Sequence, residues 1–490
     1  MDFPIPSSAL GWTILSIDIV LRFVALGVIP GGRRPSTGMA WLLLILIEPI
    51  IGFLIFWMFG RTRLEGRRIQ RQKQAITAIR QRTEELPLDY DLASLPRPVQ
   101  RIAELNRSLG ALRMTGGNEV QLWPDYRGVV EEMAAEIDRA QAHVHVEFYI
   151  TAWDEVTDPV FQAMIRATDR GVSVRLLFDH IGSRRIPGYR RMTRRLDRTA
   201  IDWRPMLPIQ PLRGRFRRPD LRNHRKILVV DGSVGFTGSL NLTEPGYNKS
   251  ANHRLGREWV ELMVRLEGPV VGALNAVFAS DWYVETGEVV DLVPVLGEPD
   301  ARPDEIFDVP CQVVPSGPGI VAENNLRMFT SLLYAATDRI SLTSPYFVPD
   351  ESLLYAVTTA AQRGVEVELF VSEVSDQFLV GHAQASYYKA LLHAGVRIWL
   401  YPAPFILHSK HFTIDDSVAV VGSSNMDMRS FGLNYEVSLM MPSVQVVTRM
   451  REVEDTYRSL SKELTLDAWT ERPRRSKYVD NVARLTAALQ

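Results

Sequence analysis

The chain has 490 residues, enough for two or three domains with substantial cores. Its 56 Lys and Arg meet 57 Asp and Glu, a net charge of −1, which excludes a global pull toward a polyanion and makes any anion binding local. A lone cysteine, Cys311, excludes an intrachain disulfide and a cysteine zinc cluster, and reads as a small buried apolar residue.

Residues 1–75 read as a membrane hairpin with a basic juxtamembrane run. The stretch 39–59, MAWLLLILIEPIIGFLIFWMF, has roughly the 20 apolar residues a bilayer requires, with Trp41 and Trp57 near its ends, and predicts a transmembrane helix. Residues 11–29 are also mostly apolar but hold Asp18 and Arg22, four apart, so this segment either spans or lies partly in the interface. Between them PGGRRPS reads as a turn, and no basic region precedes the first segment as a cleaved signal would need. Arg61, Arg63, Arg67, Arg68, Arg71 and Lys73 follow the second segment, against Arg33 and Arg34 in the connecting loop. That asymmetry predicts a multi-pass protein of the cell membrane with its large C-terminal part in the cytoplasm, and the same run suits anionic headgroups. Glu48 beside Pro49 is out of place in hydrocarbon, and a functional role competes there with a protonated or helix-paired structural one.

After a linker over 76–117, strands and helices alternate, predicting an α/β fold with a first domain over 118–293, a Pro- and Gly-rich linker over 294–316 and a second domain over 317–490. The second half repeats the first. AHVHVEFYI at 142–150 answers DRISLTSPYFV at 338–348, and RGVSVRLLF at 170–178 answers RGVEVELF at 363–370.

The repeat carries chemistry. His224-Arg-Lys226-Ile-Leu-Val-Val-Asp231 returns as His408-Ser-Lys410-His-Phe-Thr-Ile-Asp415, and each is followed by Gly-Ser-x-Asn, at 238–241 and 422–425. One offset of 184 residues separates both His224 from His408 and Asn241 from Asn425, which marks a duplicated domain. On a buried strand His and Lys share a face, because residues two apart point the same way. Asp231 and Asp415 fall on the other face next to a turn and support the motif's geometry. A His supplies a nucleophile or proton donor and a Lys a fixed cation, while Ser239, Asn241, Ser423 and Asn425 supply neutral donors; together they suit a phosphodiester held between matched halves. The His tautomers need a carboxylate, and Glu261 in WVELMV and Glu436 in YEVSLM, each on an apolar strand after its own motif, are the candidates by strand order. A scaffold without chemistry would have to keep all these polar positions unused.

The paired motifs resemble those of the phospholipase D superfamily. GSSNMDMRSFGLNYE at 422–436, SPYFVPD at 344–350 and RRPSTGMAWLLLILIEPIIGFLIFWMFG at 33–60 are similar to bacterial cardiolipin synthases, so the resemblance covers nearly the whole chain. It implies duplicated phospholipase D-like domains, mixed β-sheets flanked by helices and paired as a pseudo-dimer. It also implies condensation of two phosphatidylglycerol molecules into cardiolipin and glycerol through a covalent phosphatidyl-histidine, with no metal or other cofactor. Superfamily precedent makes His224 the nucleophile and His408 the acid and base, with Lys226 and Lys410 neutralising the nonbridging oxygens. The sequence departs from the family at Trp259-Val260-Glu261, where Trp-Arg-Asp is usual, and at Gly238-Ser239, often Gly-Gly. A hydrolase or other phosphodiesterase shares every catalytic residue, and a noncatalytic membrane scaffold is a third reading.

Two basic stretches stand out, 184–198 with seven arginines and 213–226 with six arginines and a lysine. Beside a membrane hairpin they favour lipid headgroups over nucleic acid as partner. His145, Glu147 and Tyr149 share a strand face and read as satisfied core polar groups. One chain holds both motifs, so oligomerisation is not required, although membrane packing is compatible with a homodimer.

Overall fold

The computed structural model describes residues 8–31, 35–60, 70–72, 90–209, 220–290, 304–318 and 323–485, with Gln74, Thr77 and Leu292. Most of the basic juxtamembrane run, the pair Arg33 and Arg34, and the arginines at 213, 215, 217 and 218 lie outside the described residues. The chain divides into an N-terminal unit over 1–66 and a unit that contains both repeats.

In the N-terminal unit, helix α1 (Ala9–Val28) is capped by Ser8, whose hydroxyl accepts from Gly11 N at 3.2 Å. Asp18 and Arg22 pair along it at 3.0 Å. It is long and apolar enough to cross a membrane. The predicted second span is not one helix. It breaks into α2 (Pro35–Ile47) and α3 (Pro49–Ile55), followed by a π turn over Phe56–Gly60. Pro49 lacks the N–H that would continue the ladder and its ring would strike a carbonyl one turn back, so Glu48 leaves helical geometry at φ −131° and ψ 84°. A Cβ on Gly52 would lie 2.8 Å from Leu44 O, so α3 turns back onto α2. Ala25, Ile29, Ile45 and Phe56 form their small common core.

The first repeat supplies strands β1 (Thr115–Trp123), β2 (His143–Phe148), β3 (Ser173–Asp179), β4 (Asp202–Met206), β5 (Lys226–Val230), β6 (Val234–Gly238) and β7 (Met263–Glu267). The second supplies β8 (Ile306–Ser316), β9 (Arg339–Thr343), β10 (Glu366–Ser372), β11 (Arg397–Tyr401), β12 (His411–Ile414), β13 (Val418–Gly422), β14 (Asn434–Met441) and β15 (Lys462–Leu464). All lie in one continuous sheet. Outward from the middle the first half runs β1-β7-β6-β5-β2-β3-β4 and the second β8-β14-β13-β12-β9-β10-β11-β15, the same order with one strand added. The seam is the antiparallel pair β1·β8, where Thr115 faces Cys311.

Binary patterning explains the layers. In β5, Leu228 and Val230 enter the outer core of the first half, while Ile227 and Val229 enter a core shared with Val313, Val421 and Leu439 of the second half. Helices Val270–Thr286 and Val444–Leu460 cover that shared core. Each such side chain contributes roughly 1.5–3 kcal/mol when buried. Two predicted linkers are corrected here. Residues 306–316 are the seam strand, in which Pro310 sits where the pairing with β1 is broken by bulges. Within 76–117, helix Arg97–Ser108 packs Val99, Ile102 and Ala103 into the core of the second half.

Candidate active site

Each His motif sits at the start of a strand, and a two-residue parallel bridge from the opposite half lies beside it. Ile406–Leu407 pairs with Trp259–Val260, which places His408 next to Glu261. Arg222–Asn223 pairs with Asn434–Tyr435, which places His224 next to Glu436. The bridges end alike, His408 N donating to Val260 O at 2.8 Å and His224 N to Tyr435 O at 2.8 Å. His408 Nδ1 lies 2.7 Å from Glu261 Oε1, and His224 Nδ1 lies 3.2 Å from Glu436 Oε1. The pairing expected from strand order is thereby corrected: each imidazole is oriented by the carboxylate of the other half. His408 Nδ1 is hydrogen-bonded, while His224 Nδ1 is within ion-pair reach of Glu436 without a hydrogen bond, so in each ring Nε2 is the nitrogen turned from the carboxylate and left for a ligand.

The lysines repeat one geometry. Lys410 Nζ donates to His408 O at 2.6 Å, and Lys226 Nζ donates to His224 O. Both are buried among charges of both halves. Burial lowers Lys226 to about 8 and Lys410 to about 7, although Glu261 and Glu436 pull each upward. Burial also lowers His224 to about 4, opposed by Glu436 and reinforced by both lysines, and lowers His408 against the pull of Glu261. Glu436 is pushed up by burial, but His224, Lys226 and Ser423 outweigh that and hold it below the usual carboxylate value. Each lysine feels both glutamates, so the two motifs form a single site.

Asp231 and Asp415 face away from it. Asp231 accepts from the amides of Gln141, Ala142 and His143 at 2.7 to 2.9 Å, and Asp415 from those of Asp338 and Arg339 at 2.8 and 2.9 Å. Each fastens the end of its His strand to the start of the neighbouring one.

The serines differ from expectation. Ser423 Oγ donates to Glu436 Oε2 at 2.6 Å and accepts from Val437 N at 2.9 Å; Ser239 Oγ donates to Leu262 O at 3.2 Å and accepts from Leu262 N at 3.0 Å. Neither hydroxyl is turned to a substrate. The preceding glycine is the cause, since a Cβ on Gly238 or Gly422 would lie 2.4 Å from Leu262 O or Val437 O, and only glycine allows so close an approach. Asn241 is also engaged, its Nδ2 donating to Tyr247 Oη at 2.8 Å and its Oδ1 accepting from Ile150 N at 3.2 Å. The Asn425 side chain makes no hydrogen bond among the described residues, which leaves its Nδ2 an uncommitted donor and its buried Oδ1 without a partner.

Tyr149, read from the sequence as a satisfied core polar group, has its ring 4.2 Å from that of His224. Sequence reasoning missed that Arg225 is buried and paired with Asp281, its Nε donating to Glu436 O at 3.0 Å, and that Arg222 is buried against Asp179 at 3.0 Å. These two members of the second basic stretch brace the site rather than face solvent. A lone Asp at the end of β3, away from the motif, gave no signal of that pairing.

The duplicated sheet and the paired His-x-Lys segments define a phospholipase D-like protein. A family model described as "Cardiolipin synthase, PLD-like domain" matches residues 133–282 and 329–456, and the chain belongs to that family. Cardiolipin synthase A of Proteus mirabilis is 32% identical over 460 residues, 92% of each chain, and that of Wigglesworthia glossinidia brevipalpis 31% identical over 471 residues, 94% of this chain and 92% of the relative. The crystal structure of phosphatidylserine synthase from Haemophilus influenzae covers 76% of this chain and 95% of its own at TM-score 0.54 and 14% identity, a likeness of fold.

Proposed function

We propose that this chain condenses two phosphatidylglycerol molecules into cardiolipin and glycerol. The crossed His–Glu pairs in a family of cardiolipin synthases carry the reading, because two imidazoles each set beside a carboxylate in one site can divide nucleophilic and acid–base work. His224 Nε2 attacks phosphorus and the bond to the glycerol oxygen breaks, while protonated His408 gives its proton to the leaving alkoxide. The terminal hydroxyl of a second phosphatidylglycerol then gives its proton to His408 and attacks the same phosphorus, the P–N bond breaks, and cardiolipin leaves. Both histidines return to their starting states. His408 is the acid because its 2.7 Å contact to Glu261 is the tighter and stabilises an imidazolium. Lys226 and Lys410 meet the nonbridging charge, with Asn425 the free neutral donor.

The proposal extends to the setting. The region 1–75 holds the chain in the cell membrane, α1 crossing and the broken α2–α3 pair inserted beside it, with the halves 118–293 and 317–490 in the cytoplasm on an anionic surface. Phosphatidylglycerol and cardiolipin are the partners, nucleic acid is not, and a homodimer is compatible with the site.

The test uses purified full-length chain in phosphatidylglycerol vesicles with chelator, beside His224→Ala and His408→Ala. Cardiolipin and glycerol in equal amounts, lost in both variants, is the expected result. Phosphatidic acid alone would make the chain a hydrolase.

A further inference from the structure

Helix Tyr189–Leu196 buries Met192 and Leu196 and half-buries Tyr189 and Thr193, one stripe at helical spacing. The outward face is arginine. Arg190, Arg191, Arg194 and Arg198 are exposed there, joined by exposed Arg184 and Arg185 just upstream. Only Arg195 of this stretch is paired, to Asp158 at 3.4 Å and over the Trp153 ring at 3.7 Å. The other six make no side-chain hydrogen bond or ion pair among the described residues. Arg101 pairs with Glu104, Arg166 with Asp138, Arg397 with Glu463 and Arg449 with Glu452, whereas scattered exposed arginines such as Arg97, Arg107 and Arg254 are unpaired among the described residues; what sets this face apart is six unpaired guanidiniums within 184–198. Like charges four apart destabilise a helix, and in a chain of net charge −1 composition does not force such a row. An anion outside the chain is the missing counterpart.

The face adjoins the active site. It continues from helix His180–Arg184, where Gly182 lets Tyr149 approach so closely that a Cβ would lie 2.6 Å from the ring, and Tyr149 in turn lies 4.2 Å from His224. Arg185 is near enough to Tyr149 to oppose the upward push of burial on its hydroxyl. We propose that Arg184, Arg185, Arg190, Arg191, Arg194 and Arg198 form the face by which the catalytic body rests on an anionic lipid surface, bringing the His224 side of the site to the headgroups. The inference rests on the lipid reading above and names the surface that serves it. A guanidinium binds phosphate bidentately in either setting, and lipid is favoured over nucleic acid because the same chain carries a helix able to cross a bilayer.

The experiment labels an Ala200→Cys variant of the full chain with a polarity-sensitive fluorophore, in a His224→Ala background that cannot turn over; Cys311 is buried and stays unlabelled. The protein is reconstituted in phosphatidylcholine vesicles with or without about one-third phosphatidylserine, and a headgroup-attached quencher reports contact. Quenching at least threefold stronger with the anionic lipid, abolished at high salt, is expected. Replacing Arg190, Arg191, Arg194 and Arg198 together by Glu should remove it, and replacing the same four by Lys should keep it. Equal quenching in both vesicles, or a salt-insensitive signal, overturns the proposal without either arginine replacement having to fold. A label that responds to short single-stranded DNA but not to anionic vesicles overturns it in favour of a nucleic-acid surface. Cardiolipin formation is not read here, so failure of the transferase reading leaves this result standing.

Discussion

A lysine buried beside another lysine is a weak cation until an anion arrives. Lys410 is lowered to about 7 and Lys226 to about 8, burial being the main cause in each. A bound phosphodiester favours the charged form, so each pKa rises on binding. The affinity is therefore fully present below about pH 7 and is lost as pH rises through 7 and then 8, by up to about tenfold per pH unit for each proton linked. A titration of dimethyl phosphate followed by phosphorus NMR should show this decline, and Lys410→Arg should flatten its first part because a guanidinium stays charged. An affinity constant from pH 6 to 9 in the unaltered chain would mean that the lysines are already fully charged in the empty site. The identity of these residues could be read from the repeat, but their proton balance could not, because it comes from burial in a site whose charges belong to both halves. Ser239 and Ser423 were misread for a related reason: a motif shows which hydroxyls are near, while the close approach allowed by Gly238 and Gly422 decides where they turn.

Two-residue bridges do the placing at the next scale. Trp259–Val260 against Ile406–Leu407, and Arg222–Asn223 against Asn434–Tyr435, exchange the orienting carboxylates between halves. Selective nitrogen-15 labelling of histidine makes this visible. Glu261→Gln should move the His408 resonances and leave those of His224, Glu436→Gln should do the reverse, and each should slow turnover by roughly 10²–10⁴, as losing a His-orienting carboxylate does elsewhere. Spectral changes confined to the same half would refute the crossing. Much of the element pattern was legible: strands 142–150 and 338–348 were expected from alternation, and the 184-residue offset announced the duplication. What escaped were features set by tertiary pairing. Residues 306–316 look like a linker by their prolines yet complete the seam, and a hydropathy window over 39–59 averages across the one residue, Pro49, that cuts the helix.

At the scale of the molecule, the seam decides what one chain can do alone. The shared core draws Ile227 and Val229 from one half and Val421 and Leu439 from the other, so the halves are parts of one folded body and neither holds an oriented histidine by itself. His224, Glu436, His408 and Glu261 all come from a single chain. A homodimer, if formed in the membrane, would then carry two independent sites. Mixing His224→Ala with His408→Ala, after dissociation and reassembly in one detergent pool, should restore no activity. A site built across two chains behaves differently: random reassembly would place both intact histidines together in one of two sites in half the dimers, restoring roughly a quarter of full activity. Recovery near that level would show that the contacts joining the two motifs within one chain are exchanged between chains, as in a domain swap, whereas activity at the level of each variant alone places catalysis within the monomer.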